Sequence, residues 1–370
     1  MRLLYVVTED WYFLSHRLPM ARAAKAAGFE VHVATRVSDG AEAIIREGFA
    51  LHPIPFVRGK ISPLATLKAV LSLRRVHRTI TPDLFHHISL QACVLGSLAA
   101  LGRSVGGINA LTGFGFTLIS SRWTARLSRP LVVGLLRWLF DRPNRIVLVQ
   151  NPDDRDSLRK LAMSPERVAL IPGSGVDTDA LRPQPELDGP VTIAFVGRLL
   201  EDKGIRILID AFRLLREKGL PLELLIAGTP DPANPTSVGE DEAITWNCEP
   251  GITWLGRVDD IGALWARAHI AVLPSRREGL PKSLLEAAAC GRPLVATDVP
   301  GCREIVRHEE TGLLAPFGDC EALANRIDTL ARSATLRARY GMAARRLAVE
   351  RFSAVAIGRQ TVELYHRFGR

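Results

Sequence analysis

The sequence predicts an α/β protein of two domains, each a parallel sheet with helices on both faces. Short β-branched runs alternate with helical stretches along the chain, as in consecutive strand–helix–strand units. The 370 residues allow two hydrophobic cores, and 47% apolar with 24% charged residues is a globular composition. A proline-rich segment at 181–190, LRPQPELDGP, separates the two series and predicts a linker.

The periodicity of apolar residues and the local composition predict the positions of the individual strands and helices. The strands of the first series are predicted at 2–8, 30–35, 83–87, 105–109, 145–150 and 167–171. Those of the second are predicted at 191–197, 222–226, 252–255, 269–273 and 293–296. Helices are expected between them, including 15–27 and 152–161. Asn151 is a suitable N-cap for the latter, because Pro152 and two aspartates follow it.

The net charge of +9 lies entirely in the first half of the chain. Residues 1–180 hold 23 Lys and Arg against 14 Asp and Glu, whereas residues 181–370 hold 25 of each. Such a basic surface indicates an anionic partner, either membrane lipid, nucleic acid or a phosphorylated substrate. Nucleic acid is disfavoured because the basic region lacks interleaved surface aromatics and recognition motifs, and because it would leave the second domain unexplained.

The strand at 191–197 ends in a pattern suited to a diphosphate. Gly197 lets a ligand approach the strand end, and Arg198 and Lys203 flank it. Arginine supplies a planar fork for phosphate oxygens and lysine supplies a point charge. The same pair would also be compatible with two solvated surface charges.

The strand at 269–273 leads into a second part of the pattern. Pro281 is predicted at the first position of a helix, whose free N–H groups favour a phosphate. Glu278, before this helix, and Glu286, on its second turn, can accept hydrogen bonds from the vicinal hydroxyls of a ribose or hexose. On spacing alone, the two glutamates are also compatible with a plain helix start and an exposed helix face.

Two further strands end in glycine, at Gly228 and at Gly256-Arg257. Free backbone groups at Gly256 could hold the edge of a base, although each glycine alone is compatible with an ordinary strand–helix turn. Four strand ends of one domain would meet at one edge of its sheet, where α/β proteins bind ligands. Together they point to one bound diphosphate.

Arg198, Lys203, Glu278 and Glu286 resemble the donor-site signature of glycosyltransferase family 4, whose members are retaining enzymes. The resemblance extends over nearly the whole chain and implies the GT-B fold, two Rossmann-like domains facing a cleft. It implies an N-terminal acceptor- and membrane-facing domain at 1–183, a nucleotide-sugar-binding domain at 184–351, and a helix at 352–370 that crosses back to the first domain. The implied donor contacts are Gly197, Arg198, Lys203, Gly228, Gly256, Arg257, Glu278, Gly279, Leu280, Pro281, Ser283 and Glu286. The implied catalytic residues are Glu278, Arg198, Lys203 and His16.

The N-terminal half resembles the subset of this family that elongates glycans on polyprenyl diphosphate. The implied acceptor-side residues are Asp10, Trp11, His16, Arg17, His86, Gly113 and Gly115. His16 or His86 could orient an acceptor hydroxyl, since histidine exchanges protons near neutral pH. A purely structural role explains either histidine equally well. Gly113 and Gly115 lack the third glycine and the acid of a dinucleotide fingerprint, and Gln91 stands where the family pattern has a lysine.

Two basic stretches, 62–80 and 121–140, combine leucine, valine and arginine, and the second also carries two tryptophans. Each could lie in the membrane interface with its arginines on lipid phosphates. Each could also be an amphipathic helix packed on the sheet. No apolar run is long enough to span a bilayer, so we expect a cytoplasmic protein, peripheral on the inner face of the plasma membrane.

The predicted reaction transfers a sugar from a nucleotide-diphosphate sugar, UDP-HexNAc or UDP-hexose, to a polyprenyl-diphosphate-linked glycan. The expected partners are these two substrates and an anionic membrane surface. No metal or other cofactor is expected: Asp177-Thr178-Asp179 spells a metal-binding DxD motif of another fold, but it precedes the linker. The alternatives are a soluble epimerase or transferase with a non-lipid acceptor, and a non-catalytic protein that kept the fold.

Overall fold

The computed structural model describes residues 1–58, 62–111 and 133–368, and the chain forms two compact units. Unit 1 comprises Met1–Gly175 and Ala354–Arg370, and unit 2 comprises Val176–Ser353. Each unit contains one sheet, in which all paired strands run parallel. The predicted fold class, two α/β units with parallel sheets, is confirmed.

The sheet of unit 1 has seven strands in the order β3-β2-β1-β4-β5-β6-β7. They are β1 (Arg2–Glu9), β2 (Glu30–Arg36), β3 (Ala50–Pro53), β4 (Leu84–Ile88), β5 (Gly106–Ala110), β6 (Arg145–Val149) and β7 (Val168–Leu170). The six predicted strands are all present. The strand that sequence reasoning missed, β3, is an edge strand of four residues without a buried side chain, so it has no apolar run that could identify it.

Helices connect these strands. They are α1 (Asp10–His16), α2 (Leu18–Ala26), α3 (Ala41–Arg46), α4 (Pro63–Ile80), α5 (Leu90–Ala99) and α7 (Pro152–Lys160), and residues 133–140 are also helical (α6). The single helix predicted at 15–27 is wrong, because the chain breaks at Arg17 between α1 and α2. Pro19 has no N–H to donate to the carbonyl four residues earlier. The N-cap of α7 is confirmed, since Asn151 Oδ1 accepts the N–H of Asp154 at 2.8 Å.

The last helix, α15 (Ala354–His366), belongs to unit 1 and packs on α2. Close packing is possible because Gly358 has no side chain: a Cβ there would lie 2.8 Å from Cβ of Ala23. At the other end of the helix, the Tyr365 hydroxyl lies 2.6 Å from the Tyr5 hydroxyl on β1. The C-terminal segment is therefore part of the core of unit 1.

The sheet of unit 2 has six strands in the order β10-β9-β8-β11-β12-β13. They are β8 (Val191–Val196), β9 (Leu222–Ala227), β10 (Ile252–Gly256), β11 (Ile270–Leu273), β12 (Leu294–Thr297) and β13 (Gly312–Ala315). The five predicted strands are present, and the missed one, β13, is again a four-residue edge strand. The helices are α8 (Ile205–Glu217), α9 (Glu240–Asn247), α10 (Ile261–Arg267), α11 (Lys282–Ala289), α12 (Cys302–Ile305), α13 (Cys320–Ala331) and α14 (Ala334–Phe352).

This strand order brings the candidate donor residues together. Strands β10, β9, β8 and β11 are neighbours, so the segments that follow them leave from one edge of the sheet. The carboxyl ends of parallel strands form the ligand-binding edge of α/β sheets. Every predicted donor contact lies at one of these four strand ends or in the segment that follows it.

Candidate functional site

Backbone hydrogen bonds of glycine residues join three of the four strand ends. The Gly197 N–H donates to the Ala227 carbonyl at 2.9 Å, and the Gly228 N–H donates to the Gly256 carbonyl at 2.7 Å. Gly228 has φ +140°, and a Cβ there would collide with the Gly197 carbonyl oxygen. Glycine is therefore required at Gly228 both for its conformation and for the close approach of the two chains.

Arg198 extends from the end of β8, and its side chain is 44% exposed. Its Nη1 donates to Oδ2 of Asp231 at 2.6 Å, and the Asp231 side chain is almost fully buried. The Asp231 N–H in turn donates to Ser237 Oγ at 2.8 Å, which fixes the loop after β9. Sequence reasoning missed Asp231. The available signal was an acid three residues after Gly228 at a ligand-binding sheet edge.

Lys203 lies in a short 3-10 turn, Glu201–Lys203, before α8. Its Nζ donates to Glu278 Oε1 at 2.5 Å, and Ser275 Oγ donates to the same oxygen at 2.7 Å. The two segments meet because Gly204, at φ +72°, packs directly on the Pro274 carbonyl. The predicted neighbours Lys203 and Glu278 are thus in direct contact.

The helix after Glu278 differs slightly from the prediction. Pro281 is the N-cap of α11, with φ −71° and ψ 116°, and Lys282 takes the first helical position. Glu286 is buried, and its Oε1 accepts from Lys282 Nζ one turn earlier. The exposed-face alternative for Glu286 is therefore wrong, while the helix still directs its first N–H groups towards the sheet edge.

Gly301 supports the segment that carries Glu278. Gly301 precedes α12, is buried and has φ +81°. A Cβ at this position would lie 2.5 Å from the Gly279 carbonyl oxygen and 2.6 Å from that of Glu278. Only glycine allows this contact, so Gly301 sets the position of the Glu278–Gly279 backbone. Sequence reasoning did not select it.

The remaining predicted donor residues surround this centre. Leu280 is buried and Ser283 is half-buried on the first turn of α11. Arg257 projects into solvent, where its Nε lies 3.3 Å from Asp259. Near Gly256, Trp254 Nε1 donates to the Gly228 carbonyl at 2.8 Å. Arg257 is thus an exposed surface charge paired with Asp259, whereas Leu280 is packed in the core of unit 2.

The carboxylate of Asp10, a predicted acceptor-side residue, is held by hydrogen bonds within unit 1. Its carboxylate accepts from the N–H groups of Ser38 (2.5 Å), Gly40 (2.9 Å) and Trp11 (2.7 Å), and from Ser38 Oγ (2.6 Å). Burial by itself would raise the pKa of Asp10, but these hydrogen bonds outweigh it and hold the pKa below its usual value. Asp10 therefore orders the loop after β2.

Trp11, His16 and Arg17 have three different environments. Trp11 is 39% exposed, whereas Arg17 is 1% exposed. The His16 ring stacks on Tyr12 with centroids 4.3 Å apart, and its Nδ1 lies 2.6 Å from Ser15 Oγ. Of these three residues, Trp11 and the half-buried His16 remain accessible to a substrate.

The strand predicted at 83–87 places His86 next to the strand end, and that placement is wrong. β4 continues to Ile88, so His86 lies in the middle of the strand and is fully buried. Its Nδ1 lies 2.7 Å from the Tyr365 hydroxyl. Burial, and then the charge of Arg17, lower the pKa of His86 well below its usual value, so the ring is neutral. Gly113, Gly115 and the first part of 121–140 lie outside the described residues.

Asp177 of the DxD sequence stabilises a turn, because its Oδ1 accepts hydrogen bonds from the N–H groups of Asp179 and Ala180. Within the described ranges, no three His, Cys, Asp or Glu side chains gather into a group that could hold a metal ion. In the same part of the chain, no helix has the length and hydropathy needed to cross a membrane.

Two family models match the chain. Residues 2–151 match "Glycosyl transferase 4-like" and residues 190–333 match "Glycosyl transferases group 1". The capsular polysaccharide biosynthesis glycosyltransferase CapM of Staphylococcus aureus is 23% identical, over 96% of this chain and 95% of CapM. The N,N'-diacetylbacillosaminyl-diphospho-undecaprenol alpha-1,3-N-acetylgalactosaminyltransferase of Campylobacter jejuni is 24% identical, over 96% of this chain and 98% of that enzyme.

Among solved structures, HepE of Anabaena in complex with UDP and glucose superposes with a TM-score of 0.79 at 20% identity, covering 99% of both chains. This likeness establishes the fold, the GT-B class of two parallel-sheet α/β units. The two family models and the relatives, which align over nearly their whole length, together show the class of enzyme. The chain is a glycosyltransferase and belongs to glycosyltransferase family 4.

Proposed function

We propose that the protein transfers a sugar, with retention, from UDP-HexNAc or UDP-hexose to a polyprenyl-diphosphate-linked saccharide in bacterial surface-glycan synthesis. The donor part of this proposal rests on one observation: Arg198, Lys203, Glu278 and Glu286 all lie at one edge of the unit 2 sheet. The UDP complex of the Anabaena neighbour supports a uridine donor. The diphospho-undecaprenol acceptor in the name of the Campylobacter relative supports the lipid-linked acceptor.

The cations of the proposed donor site are each paired with a carboxylate in the protein. Arg198 pairs with Asp231, Lys203 with Glu278 and Lys282 with Glu286. A bound diphosphate would compete for Arg198 and Lys203, so Lys203 would pass from Glu278 to the phosphate oxygens. Glu278 would then be free to accept hydrogen bonds from the hydroxyls of the donor sugar.

Catalysis would rest on stabilising the leaving group. The bond between the anomeric carbon and the diphosphate breaks, negative charge develops on the phosphate, and the acceptor hydroxyl attacks from the same face. Arg198, Lys203 and the N–H groups at the start of α11 would stabilise that charge. The departing phosphate would take the proton of the acceptor hydroxyl, so no carboxylate nucleophile is required.

Helix α4 supports a peripheral position on the membrane. Its inner face is buried through Ala69, Leu73, His77 and Ile80. Its outer face exposes Leu64, Leu67 and Leu71 by 72%, 54% and 56%. Lys68, Arg75 and Arg78 lie on the same outer face at helical spacing. This helix therefore packs on the sheet with one side and offers the other to anionic lipid.

The deciding experiment incubates the protein with a panel of UDP- and GDP-sugars and polyprenyl-diphosphate saccharides, and analyses the lipid fraction. We expect one donor to extend a lipid-linked saccharide with retention, equally well in EDTA. Arg198→Gln and Lys203→Gln should each lower kcat/KM by about 10²-fold or more. Lys218→Gln, an exposed lysine of the same unit, is the matched control. Epimerised or hydrolysed sugar in place of lipid product would refute the proposal.

Flotation with anionic liposomes tests the membrane half. Arg75→Glu/Arg78→Glu should abolish the salt-sensitive binding of wild type, because both charges on the exposed face of α4 are reversed. Arg216→Glu/Lys218→Glu changes the net charge equally at exposed positions of unit 2 and should leave binding intact. Equal loss in both variants would mean that only net charge matters, which contradicts a specific role for α4.

A further inference from the structure

A second group of charged and aromatic side chains lies at the carboxyl edge of the unit 1 sheet. Glu9 ends β1 and Arg36 ends β2, and the two residues are register partners on neighbouring strands. Trp11 follows two residues after Glu9, and Arg58 follows the short strand β3. The donor chemistry described above uses none of these four side chains.

The Glu9 carboxylate lies between two guanidinium groups. Arg36 donates to Glu9 Oε2 through Nη2 at 2.6 Å and through Nε at 3.1 Å. Arg58 Nε lies 3.9 Å from Oε1, the other oxygen of the same carboxylate, and that oxygen accepts no hydrogen bond although it is buried. One carboxylate therefore holds the two guanidinium groups close to each other at this edge.

The cations and Trp11 are open to solvent, whereas the carboxylate is not. The side chains of Arg36 and Arg58 are 40% and 30% exposed, and that of Glu9 is 5% exposed. The Arg58 guanidinium carbon lies 6.0 Å from the centroid of the exposed Trp11 ring. The surface thus combines two phosphate-binding forks with one aromatic face.

The segment that carries Arg58 is fixed by its neighbours. Phe56, two residues earlier, is buried. Gln91 on the first turn of α5 donates through Nε2 to the Val57 carbonyl at 3.2 Å. A surface arginine held beside a second arginine by such contacts is preorganised, which lowers the entropy lost when a ligand binds.

We propose that Glu9, Arg36, Arg58 and Trp11 form a binding site for a saccharide phosphate or diphosphate. Arg36 and Arg58 bind the phosphate oxygens, Glu9 keeps the two guanidinium groups together, and the Trp11 ring packs on the face of the adjoining pyranose. This inference rests on the proposed function, in which such a group is the head of the acceptor, and it assigns that head to unit 1.

Kinetics with a saccharide diphosphate on a short, soluble isoprenoid tail test the site without a membrane. Arg58→Gln and Trp11→Leu should each raise the acceptor KM by about tenfold or more, since each removes one contact to the ligand. The donor KM should stay within about twofold. Arg46→Gln, an exposed arginine of α3, is the control and should change neither constant. An unchanged acceptor KM in both site variants would overturn the inference.

Two further measurements separate this inference from the proposed function. Calorimetric titration of N-acetylglucosamine 1-phosphate into the protein saturated with UDP measures binding even if no turnover is found. If wild type and Arg58→Gln bound this sugar phosphate with equal affinity, the proposed site would be overturned. Flotation with phosphatidylglycerol vesicles should be the same for wild type and Arg58→Gln. A loss of flotation with an unchanged acceptor KM would make Arg58 a lipid contact and refute a saccharide-phosphate site.

Discussion

Replacing Gly301 with alanine should impair the donor site from outside it. The added Cβ would lie 2.5 Å from the Gly279 carbonyl oxygen and 2.6 Å from that of Glu278. A carbon and a carbonyl oxygen in ordinary contact are roughly 3.3 Å apart or more. The Glu278–Gly279 backbone, which carries the residue proposed to bind the donor sugar, must therefore move by about 0.7 Å or more.

The expected size of the effect follows from this displacement. A misplacement of about 1 Å in a reacting geometry can lower the rate by about 10²-fold. We expect Gly301→Ala to lower kcat/KM by about 30- to 100-fold. The backbone conformation adds a separate cost, because alanine at φ near +80° loses about 1–2 kcal/mol of stability.

Gly318 provides a control for that backbone cost. It has φ +83°, against +81° for Gly301, and a Cβ there would meet no atom within 4 Å. Gly318→Ala should therefore show the backbone strain of Gly301→Ala without displacing Glu278. The assays are steady-state turnover with the donor–acceptor pair found in the panel, and urea unfolding of both variants. If Gly301→Ala kept kcat/KM within about threefold of Gly318→Ala, the positioning argument would be refuted.

Three further predictions concern the ion pair, acid stability and a helix cap. In a double-mutant cycle, Lys203→Gln and Glu278→Gln should lose more kcat/KM together than the product of their single losses, because each single variant already removes the ion pair that the donor must break; full additivity would contradict the exchange of Lys203 to the diphosphate. Burial, helped by two nearby arginines, lowers the pKa of His77 to about 4, so the folded protein keeps it neutral while the unfolded chain binds a proton below about pH 6.5. The free energy of unfolding should thus fall by about 2 kcal/mol from pH 7 to pH 5 because of this histidine. His77→Phe should remove that fall when the free energy of unfolding is measured with urea at each pH. If the variant showed the same fall as wild type, His77 would not be its cause. Asn151→Ala should cost about 1 kcal/mol in urea unfolding whereas Asn151→Asp should not, and equal stability of the two would argue against the cap.

The sequence predicted eleven of the thirteen strands of the described structure, and the two it missed share a physical cause. Strands β3 and β13 are edge strands of four residues each. An element of that length shows too little period to be told from a loop, and the neighbouring strand stabilises it through backbone hydrogen bonds. Pro19 was a local signal for the break at Arg17. The apolar residues at helical spacing over 15–27 nevertheless favoured one continuous helix.

The donor residues could be predicted because their signals are local. Glycines at strand ends, a cation directly after two of them (Arg198 and Arg257) and a proline before a helix are patterns within a few residues. The pairs that those residues form are not local: Lys203 and Glu278 are 75 residues apart, and Arg198 and Asp231 are 33 apart. Gly301 was missed for that reason, because its role exists only once separate segments are brought together. The position of Asp231 after Gly228 was a local signal, but its partner Arg198 was not.

What the sequence alone determined is the class of fold, the edge of unit 2 that carries the donor signature, and the half of the chain that carries the positive charge. All three depend on residue type, period and short spacing. The tertiary structure decided which cations are already paired, which predicted residues are buried, and which side chains meet at the carboxyl edge of unit 1. Burial removed His86 and Arg17 from the accessible surface, and strand register placed Arg36 beside Glu9. Exposure and pairing depend on contacts between distant segments, so no local pattern could have supplied them.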